Sequence, residues 1–368
     1  TKDYLTLIDA FRQANPKCEI WICRLTPIPT AIAFKSGHTQ LVLADTTNIE
    51  DIAVLAHTGL IDLITELYDR PDLLPDALHP TAEGAGIIAR TVYRALTGNY
   101  GGLQMPVIYS DNMVLQREKP LRIAGTANAG EKVTVSIAGQ KGEAITTSDG
   151  KWSVILPPMK AGGPYTLSIS AESGKLDYTN ILIGEVWLCS GQSNMAFQVS
   201  SAVEANEKAF LEFAARKPQI RLFDMKPRWL TNAVEWDIFE LDSLNRLQYY
   251  RDTEWKECNE ETTNRFSAVA FAFGQMLSDS LQVPVGLILN AIGGSPAEAW
   301  IDRKTLEFEF PTILYDWKQK FYPGLDAERA ALNIRKSTNK QQRHPYEPCY
   351  LYESGIQPLE KFPIRGII

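Results

Sequence analysis

The sequence has few of the residues that build metal sites and disulfide scaffolds. Its 368 residues include five cysteines and four histidines; the cysteines form no C-x-x-C pair, and no histidine lies three or four positions from another. Structural zinc sites take their ligands from such close pairs, so we expect no metal. An odd number of scattered cysteines also excludes a disulfide-rich scaffold.

Long apolar runs and an excess of positive charge are missing too. No stretch approaches the roughly 18 apolar residues that cross a bilayer, so we expect no membrane partner. The 37 Lys and Arg residues are outnumbered by 44 Asp and Glu, which gives a formal net charge of -7. Nucleic acids are bound by clustered basic residues, and this balance argues against a nucleic-acid partner.

Both ends of the sequence predict a longer polypeptide. The chain opens without Met, and residues 1–16 form an amphipathic pattern that differs from a signal peptide. At the other end, residues 362–368 resemble the start of a buried strand with nothing after it. We therefore expect a trimmed or truncated chain, with missing polypeptide that completes its domains.

Helical and strand patterns alternate over residues 1–98, which predicts a parallel sheet covered by helices. Three glycines within residues 98–102 prevent the last helix from continuing, so we place a domain boundary there. The predicted helices are residues 4–13, 49–57 and 81–96, and the predicted strands lie within residues 18–25 and 60–64.

The pattern changes to short alternating strands over residues 103–182. Turn signals such as Ser148-Asp149-Gly150 separate them at the spacing of an antiparallel sandwich, so we predict a small β-sandwich, either a spacer or a sugar-contacting accessory. Over residues 183–368, nearly continuous apolar strands predict a buried parallel sheet. The predicted fold class is α/β, with parallel-sheet segments flanking the β-sandwich.

A serine follows the apolar strand at residues 185–189. Ser193, in the run Gly191-Gln192-Ser193-Asn194-Met195, lies just past the carboxyl end of that strand, where open α/β sheets bind their ligands. The flanking glycine permits a tight turn that exposes the hydroxyl, as a nucleophile requires. The alternative is that Ser193 only caps a helix beginning near Asn194.

Two consecutive glycines follow another apolar strand. At Gly293 and Gly294, backbone N–H groups can approach a substrate oxyanion, because no side chain stands in the way. The alternative is a strand-to-helix turn in which glycine only relieves strain.

An aspartate and a histidine are spaced for proton transfer in the first segment. Asp76 lies three residues before His79, so one loop can supply an imidazole base and the carboxylate that orients it. The alternative is the start of a helix, with Pro80 in its first turn and His79 near its cap. His38, His57 and His344 have no comparable setting, and we assign them no catalytic role.

Residues 184–195 closely resemble the nucleophile region of the sialate O-acetylesterase family, within the SGNH hydrolases. Residues 109–116 and 150–152 resemble that family's β-sandwich, and residues 293–300 resemble its oxyanion-glycine block. The resemblance covers about residues 103–368. It implies a three-layer α/β/α domain that removes acetyl groups from hydroxyls of sialic acid or related sugars, through an acetyl-serine at Ser193 and without a cofactor.

The same resemblance makes Gln192 and Asn194 candidates for positioning the acetylated sugar. Residues 69–80 with Glu83-Gly84 separately resemble the closing block of a GDSL-type esterase domain, in which Asp76 and His79 complete the triad. In that family the nucleophile comes early and D-x-x-H late. The chain therefore resembles the tail of one esterase domain, residues 1–98, followed by the β-sandwich and the head of another, residues 183–368.

Two arrangements follow from that order. Either missing polypeptide completes both domains, or the two halves pair as one permuted domain that brings His79 to Ser193. The alternatives for function are an esterase acting on acetyl-xylan or another polysaccharide, and a non-catalytic carbohydrate-binding protein. Because polymeric glycans lie outside the cell, a periplasmic or secreted location is expected.

Overall fold

The structure is a computed structural model that describes residues 2–27, 48–68, 70–74, 76, 78–216, 219–229, 236–314 and 343–368. The chain divides into two compact units. The first unit comprises residues 1–98, 234–246 and 302–348, and the second comprises residues 99–233, 247–301 and 349–368.

The secondary structure follows the alternation read from the sequence. The helices among the described residues, in chain order, are α1 (Lys2–Ala14), α2 (residues 48–55), α3 (Ala82–Thr97), α4 (Ser193–Ala196), α5 (Glu204–Ala214), α6 (Ile238–Asn245), α7 (Glu260–Asn264), α8 (Ala268–Leu281), α9 (Arg303–Glu309) and α10 (residues 311–314). The strands are β1 (Trp21–Cys23), β2 (Gly59–Ile61), β3 (Val114–Gln116), β4 (Leu121–Thr126), β5 (Lys132–Ile137), β6 (Gln140–Ile145), β7 (Lys151–Leu156), β8 (Gly162–Ala171), β9 (Gly174–Gly191), β10 (Ile220–Asp224), β11 (Lys256–Glu257), β12 (Val285–Ala291) and β13 (Gly366–Ile367). Short 3-10 turns and one π-helical segment, Tyr352–Ile356, complete the set.

The first unit contains the predicted parallel strands and helices. β1 and β2 pair in parallel, and a small apolar core of Ile8, Ile22 and Ile52 packs α1 and α2 against β1. α3 begins where the sequence placed it, because the Thr81 side chain accepts a hydrogen bond from the Gly84 N–H and caps the helix. Gly98, at φ 68°, ends it in the left-handed conformation that favours glycine.

The second unit is organised around β9. The main sheet has the strand order β11-β10-β12-β9-β8-β5-β6, with β3 and β13 also paired to β9. β9 is antiparallel to β8 over its first part and parallel to β12 from Glu185 to Gly191. β10, β12 and β9 form the parallel segment, so the fold is mixed α/β with a multi-stranded sheet.

The burial of β9 changes along its length, as its sequence does. From Gly174 to Asn180 exposed residues alternate with half-buried ones, and from Ile181 to Glu185 every residue is buried. One strand therefore serves an antiparallel sheet with a solvated face and then a parallel sheet covered on both faces. The predicted boundary between residues 182 and 183 lies inside β9; the domain assignments, like the β-sandwich, stay predictions.

Helices and a C-terminal segment cover opposite faces of the parallel strands. Leu287 and Leu289 of β12 pack in one core with Phe271 of α8, whereas Ile288 packs in a second core with Phe362. This alternation follows from the period of two along a strand. It places consecutive residues of β12 in contact with different parts of the chain.

The strand predicted at residues 362–368 is present but is not buried. β13 pairs in parallel with β9, yet Ile367 is 64% exposed. Among the residues that the structure describes, no helix is long and apolar enough to cross a membrane.

A close backbone approach explains a glycine in β9. A Cβ added to Gly184 would lie 2.0 Å from the carbonyl oxygen of Pro284, which accepts a hydrogen bond from the Glu185 N–H at 2.9 Å. Backbone atoms cannot rotate away as a side chain does, so even one methyl group must displace β9 from the residue preceding β12.

We expect Gly184→Ala to lower the free energy of unfolding by about 1–3 kcal/mol, as overpacking does in tightly packed cores. Urea unfolding followed by tryptophan fluorescence measures the change. The matched control is Gly174→Ala, at the other end of β9, where the nearest atom to an added Cβ is 4.0 Å away. Equal midpoints for the two variants would contradict the prediction.

Candidate active site

The turn after β9 exposes Ser193. Gly191, the last residue of the strand, has φ 147°, and Gln192 follows in the N-cap position of α4. Ser193 is the first residue of α4 and is exposed. The interpretation of Ser193 as a helix cap is wrong, because Gln192 occupies that position and makes no side-chain capping hydrogen bond.

The loop that follows β12 and contains Gly293 and Gly294, here called the glycine loop, lies beside Ser193. Ala291 is in register with Gly191, and the Ile292 N–H donates to the Gly191 carbonyl oxygen at 3.0 Å. A Cβ placed on Gly293 would be 4.0 Å from the Ser193 Cα. The parallel pairing of β9 and β12 thus brings the predicted nucleophile and the predicted oxyanion loop to one edge of the sheet.

Hydrogen bonds from two side chains, Ser295 and Trp300, stabilise the glycine loop. The Ser295 hydroxyl donates to the Ile292 carbonyl oxygen at 2.8 Å, and the Trp300 indole N–H donates to the Ser295 oxygen at 2.9 Å. Ser295 is buried, whereas Gly293 and Gly294 are exposed. Gly294 has φ 75°, a conformation that glycine adopts without strain. Sequence reasoning gave Ser295 no role, although its place after two glycines is typical of a side chain that closes a turn.

The neighbours of Ser193 face solvent. Gln192 and Asn194 are exposed on either side of it. Among the described residues, no hydrogen bond engages the Ser193 hydroxyl. The positioning roles of Gln192 and Asn194 stay predictions.

Asp76 and His79 form the pair that their spacing predicted. The His79 Nδ1 lies 2.8 Å from Asp76 Oδ2, and Asp76 Oδ1 accepts from the N–H groups of His79 at 2.7 Å and Leu78 at 3.0 Å. These hydrogen bonds, the one from the His79 N–H above all, hold the pKa of the Asp76 carboxyl well below its usual range. The alternative is confirmed in part: a helix does start here and His79 lies two residues before its cap, Thr81, but Pro80 precedes the first turn instead of lying in it.

The catalytic candidates occur in two separate groups. Ser193, Gly293 and Gly294 belong to the second unit, and Asp76 and His79 belong to the first. The pairing of Ser193 with His79 therefore stays a prediction.

The remaining histidines are placed differently from one another. His57 is exposed after the end of α2, and His38 lies outside the described residues. His344 is buried, with its ring stacked on Trp236 at 5.1 Å and its Nδ1 accepting from the Tyr346 N–H at 2.9 Å. Burial lowers the pKa of His344 to about 3, so this side chain is neutral at physiological pH. Its position beside a charged run gave no sign of that burial.

Comparisons with known proteins point to one chemistry. The family model described as carbohydrate esterase, sialic acid-specific acetylesterase matches residues 183–320. Sialate O-acetylesterase of Rattus norvegicus is 30% identical over 282 residues, which is 71% of this chain and 50% of that protein. The Mus musculus protein of the same name is 29% identical over 283 residues, with the same two coverages.

The shorter match to the sialate O-acetylesterase of Homo sapiens is 32% identical over 217 residues. A crystal structure of a carbohydrate acetylesterase from Xanthomonas citri has a TM-score of 0.51 and 26% identity, covering 72% of this chain and 50% of that one. The chain spans about half the length of the curated relatives it matches. The resemblance of residues 184–195 to the sialate O-acetylesterase family is confirmed. The separate resemblance of residues 69–80 to a GDSL-type esterase domain stays a prediction.

The Asp76–His79 geometry predicts the titration of Asp76. We expect its carboxyl to titrate below about 3.9, the value of an unperturbed aspartate, and His79→Ala to raise that midpoint by removing the side-chain hydrogen bond. Because the pKa is lowered in the folded state, the pair's contribution to stability is present above pH 3.9 and is lost as the pH falls through the lowered value.

Carbon-13 NMR of the side-chain carboxyls measures both midpoints. Asp177, which pairs with Lys175 at 2.7 Å, is the internal reference and should not move in the His79→Ala variant. An ordinary midpoint for Asp76 in the unmodified chain would contradict the geometry.

Proposed function

We propose that this chain carries the nucleophile of a serine esterase that removes O-acetyl groups from sialic acid or related sugars, because residues 183–320 match the model of the sialic acid-specific acetylesterase family of carbohydrate esterases. The observation that carries the proposal is the placement of an exposed Ser193 beside Gly293, at the edge where β9 and β12 end. Parallel sheets bind their ligands at that edge.

The chemistry proceeds in two halves. The Ser193 oxygen attacks the acetyl carbonyl carbon, and its proton passes to a histidine base. The tetrahedral oxyanion accepts hydrogen bonds from the Ser193 N–H and from the N–H of Gly293 or Gly294. The sugar oxygen then leaves with the proton, and water hydrolyses the acetyl-serine to acetate and free serine.

A serine hydroxyl needs an imidazole and a carboxylate to transfer that proton. Asp76 and His79 have the geometry of such a pair, with the imidazole Nδ1 held by the carboxylate at 2.8 Å. In the SGNH layering that we propose for the second unit, the pair follows the nucleophile in sequence. Ser193 therefore takes its base either from polypeptide that completes its domain or, in a permuted domain, from His79.

The substrate class is proposed from the relatives. The curated relatives are named for sialate, whereas the similar crystal structure is titled more broadly as a carbohydrate acetylesterase. That broader title favours acetylated polysaccharide, such as acetyl-xylan, as the second candidate substrate. Because either glycan lies outside the cell, we propose a periplasmic or secreted location.

We expect Ser193 to react with a fluorophosphonate, which modifies activated serines, and Ser193→Ala to abolish the reaction. Intact mass and peptide mapping measure the labelling. Ser200→Ala, which changes another exposed serine seven residues along the chain, should label normally. His79→Ala tests the base within this chain: we expect slower labelling in that variant if His79 activates Ser193, and labelling at the normal rate would exclude His79 as the base. No labelling of the unmodified chain would refute Ser193 as an activated nucleophile in it.

Acetate release distinguishes the substrates. We expect the chain to release acetate from O-acetylated sialic acid at least tenfold faster than from acetyl-xylan, and Ser193→Ala to remove both activities, since a missing nucleophile lowers kcat by several orders of magnitude. The reverse preference would assign the polysaccharide substrate. Binding of either sugar without acetate release would make the chain a carbohydrate-binding protein.

A further inference from the structure

One polar side chain is buried in the strand that leads to the glycine loop. Asn290, the second-last residue of β12, is fully buried, and every other residue of β12 is apolar or glycine. Burying an amide without hydrogen-bond partners costs several kcal/mol in an apolar medium. We therefore expect the Asn290 amide to be hydrogen-bonded, and its partners identify what the side chain connects.

Both ends of the Asn290 amide are hydrogen-bonded. The Tyr250 hydroxyl donates to Asn290 Oδ1 at 2.7 Å, and Asn290 Nδ2 donates to the Gly355 carbonyl oxygen at 3.1 Å. A carbonyl oxygen only accepts, so the contact with Gly355 fixes which way the amide points. The Tyr250 hydroxyl can donate or accept, and here it donates to Asn290 Oδ1.

These contacts join β12 to the π-helical segment Tyr352–Ile356. A Cβ on Gly355 would lie 2.7 Å from Asn290 Nδ2 and 2.7 Å from Tyr250 Cε2, so the approach requires glycine. By the alternation along β12, Asn290 shares the face of Ile288, whose core includes residues of the C-terminal segment. Leu289 and Ala291 lie in the opposite core.

Asn290 thus constrains the strand just before it becomes the loop. Ile292, two residues later, makes the backbone hydrogen bond to Gly191, and Gly293 follows it beside Ser193. An apolar side chain of similar size would fill the space but would not link the strand end to the C-terminal segment. The two side-chain hydrogen bonds add that link to the backbone pairing with β9.

We propose that Asn290 is a positioning residue: by anchoring the end of β12 to Gly355 and Tyr250, it holds the loop that contains Gly293 and Gly294 in place beside Ser193. The inference rests on the proposed function for the role of Ser193. The anchoring itself does not depend on it, and the experiment measures the two separately.

The test compares two buried amides that make the same number of hydrogen bonds. Asn290→Leu removes the anchor. The control is Gln116→Met: Gln116, in β3, is also fully buried, accepts from the Val186 N–H at 2.9 Å and donates to the Arg117 carbonyl oxygen at 3.0 Å. It pairs near the amino end of the parallel segment of β9, away from the glycine loop. Tyr250→Phe, which removes a single hydroxyl, is the milder test variant.

Hydrogen exchange of the full chain, read on peptides spanning residues 291–296, is the first measurement. We expect exchange about tenfold faster in Asn290→Leu, and faster by a smaller factor in Tyr250→Phe, because local opening there becomes easier. Gln116→Met should leave these amides unchanged. Equal exchange in Asn290→Leu and Gln116→Met would overturn the proposal, as would unchanged exchange in Tyr250→Phe if Asn290→Leu fails to fold.

Ser193 labelling is the second measurement. A misplaced oxyanion donor lowers the maximal rate of fluorophosphonate reaction and leaves the half-saturating concentration unchanged, so we expect a fall of about tenfold or more in that rate for Asn290→Leu alone. An equal fall in Gln116→Met would assign Asn290 a purely structural role. If the unmodified chain does not label, the proposed function fails, and the exchange result still decides whether Asn290 anchors the loop.

Discussion

The parallel ladder between β9 and β12 is the interaction on which the candidate site depends. Its register runs from Glu185 opposite Val285 to Gly191 opposite Ala291, and both strands end at the same edge. All of β12 and most of this part of β9 are buried, and the side chains of β12 alternate between two apolar cores, where an unpaired backbone group would be costly. The strands therefore cannot slip by one residue without reversing which side chains face which core. Ser193 and the glycine loop lie close together because this register pairs Gly191 with Ala291.

Local patterns predicted the elements of this ladder, but not their continuity. In the sequence, the change from alternating to continuous apolar residues within β9 predicts a boundary between two modules. In the structure it marks one strand passing from a half-exposed sheet to a covered one. A hydrophobic pattern indicates how buried each residue is. It does not indicate whether the chain turns between two patterns or continues as one strand. The same limit applies to Asn290, which in the sequence is one polar residue in an apolar run.

The candidate residues differed in how far the sequence could predict them. The contact between Asp76 and His79 closes over three residues, so their spacing alone implied it. Ser193 was found from its position after a strand, and its neighbour Gly293 lies 100 residues away in the chain. The partner of His344 was not predictable, because Trp236 stacks on it across a similar distance in sequence. Contacts between distant residues depend on packing, which a single sequence does not report.

The π-helical segment beneath Asn290 has a consequence for insertions and deletions. A π turn holds more residues than an α-helical turn, and in this one Gly355 lies so close to the Tyr250 ring that a Cβ would be 2.7 Å from its Cε2. Deleting one residue from Tyr352–Ile356 would return the segment to α-helical winding and rotate the Gly355 carbonyl by about 100° away from β12. This deletion would lie some sixty residues from the glycine loop in sequence, on the face of the sheet opposite α8. Through Asn290 it would still alter the edge of the sheet at which Ser193 lies.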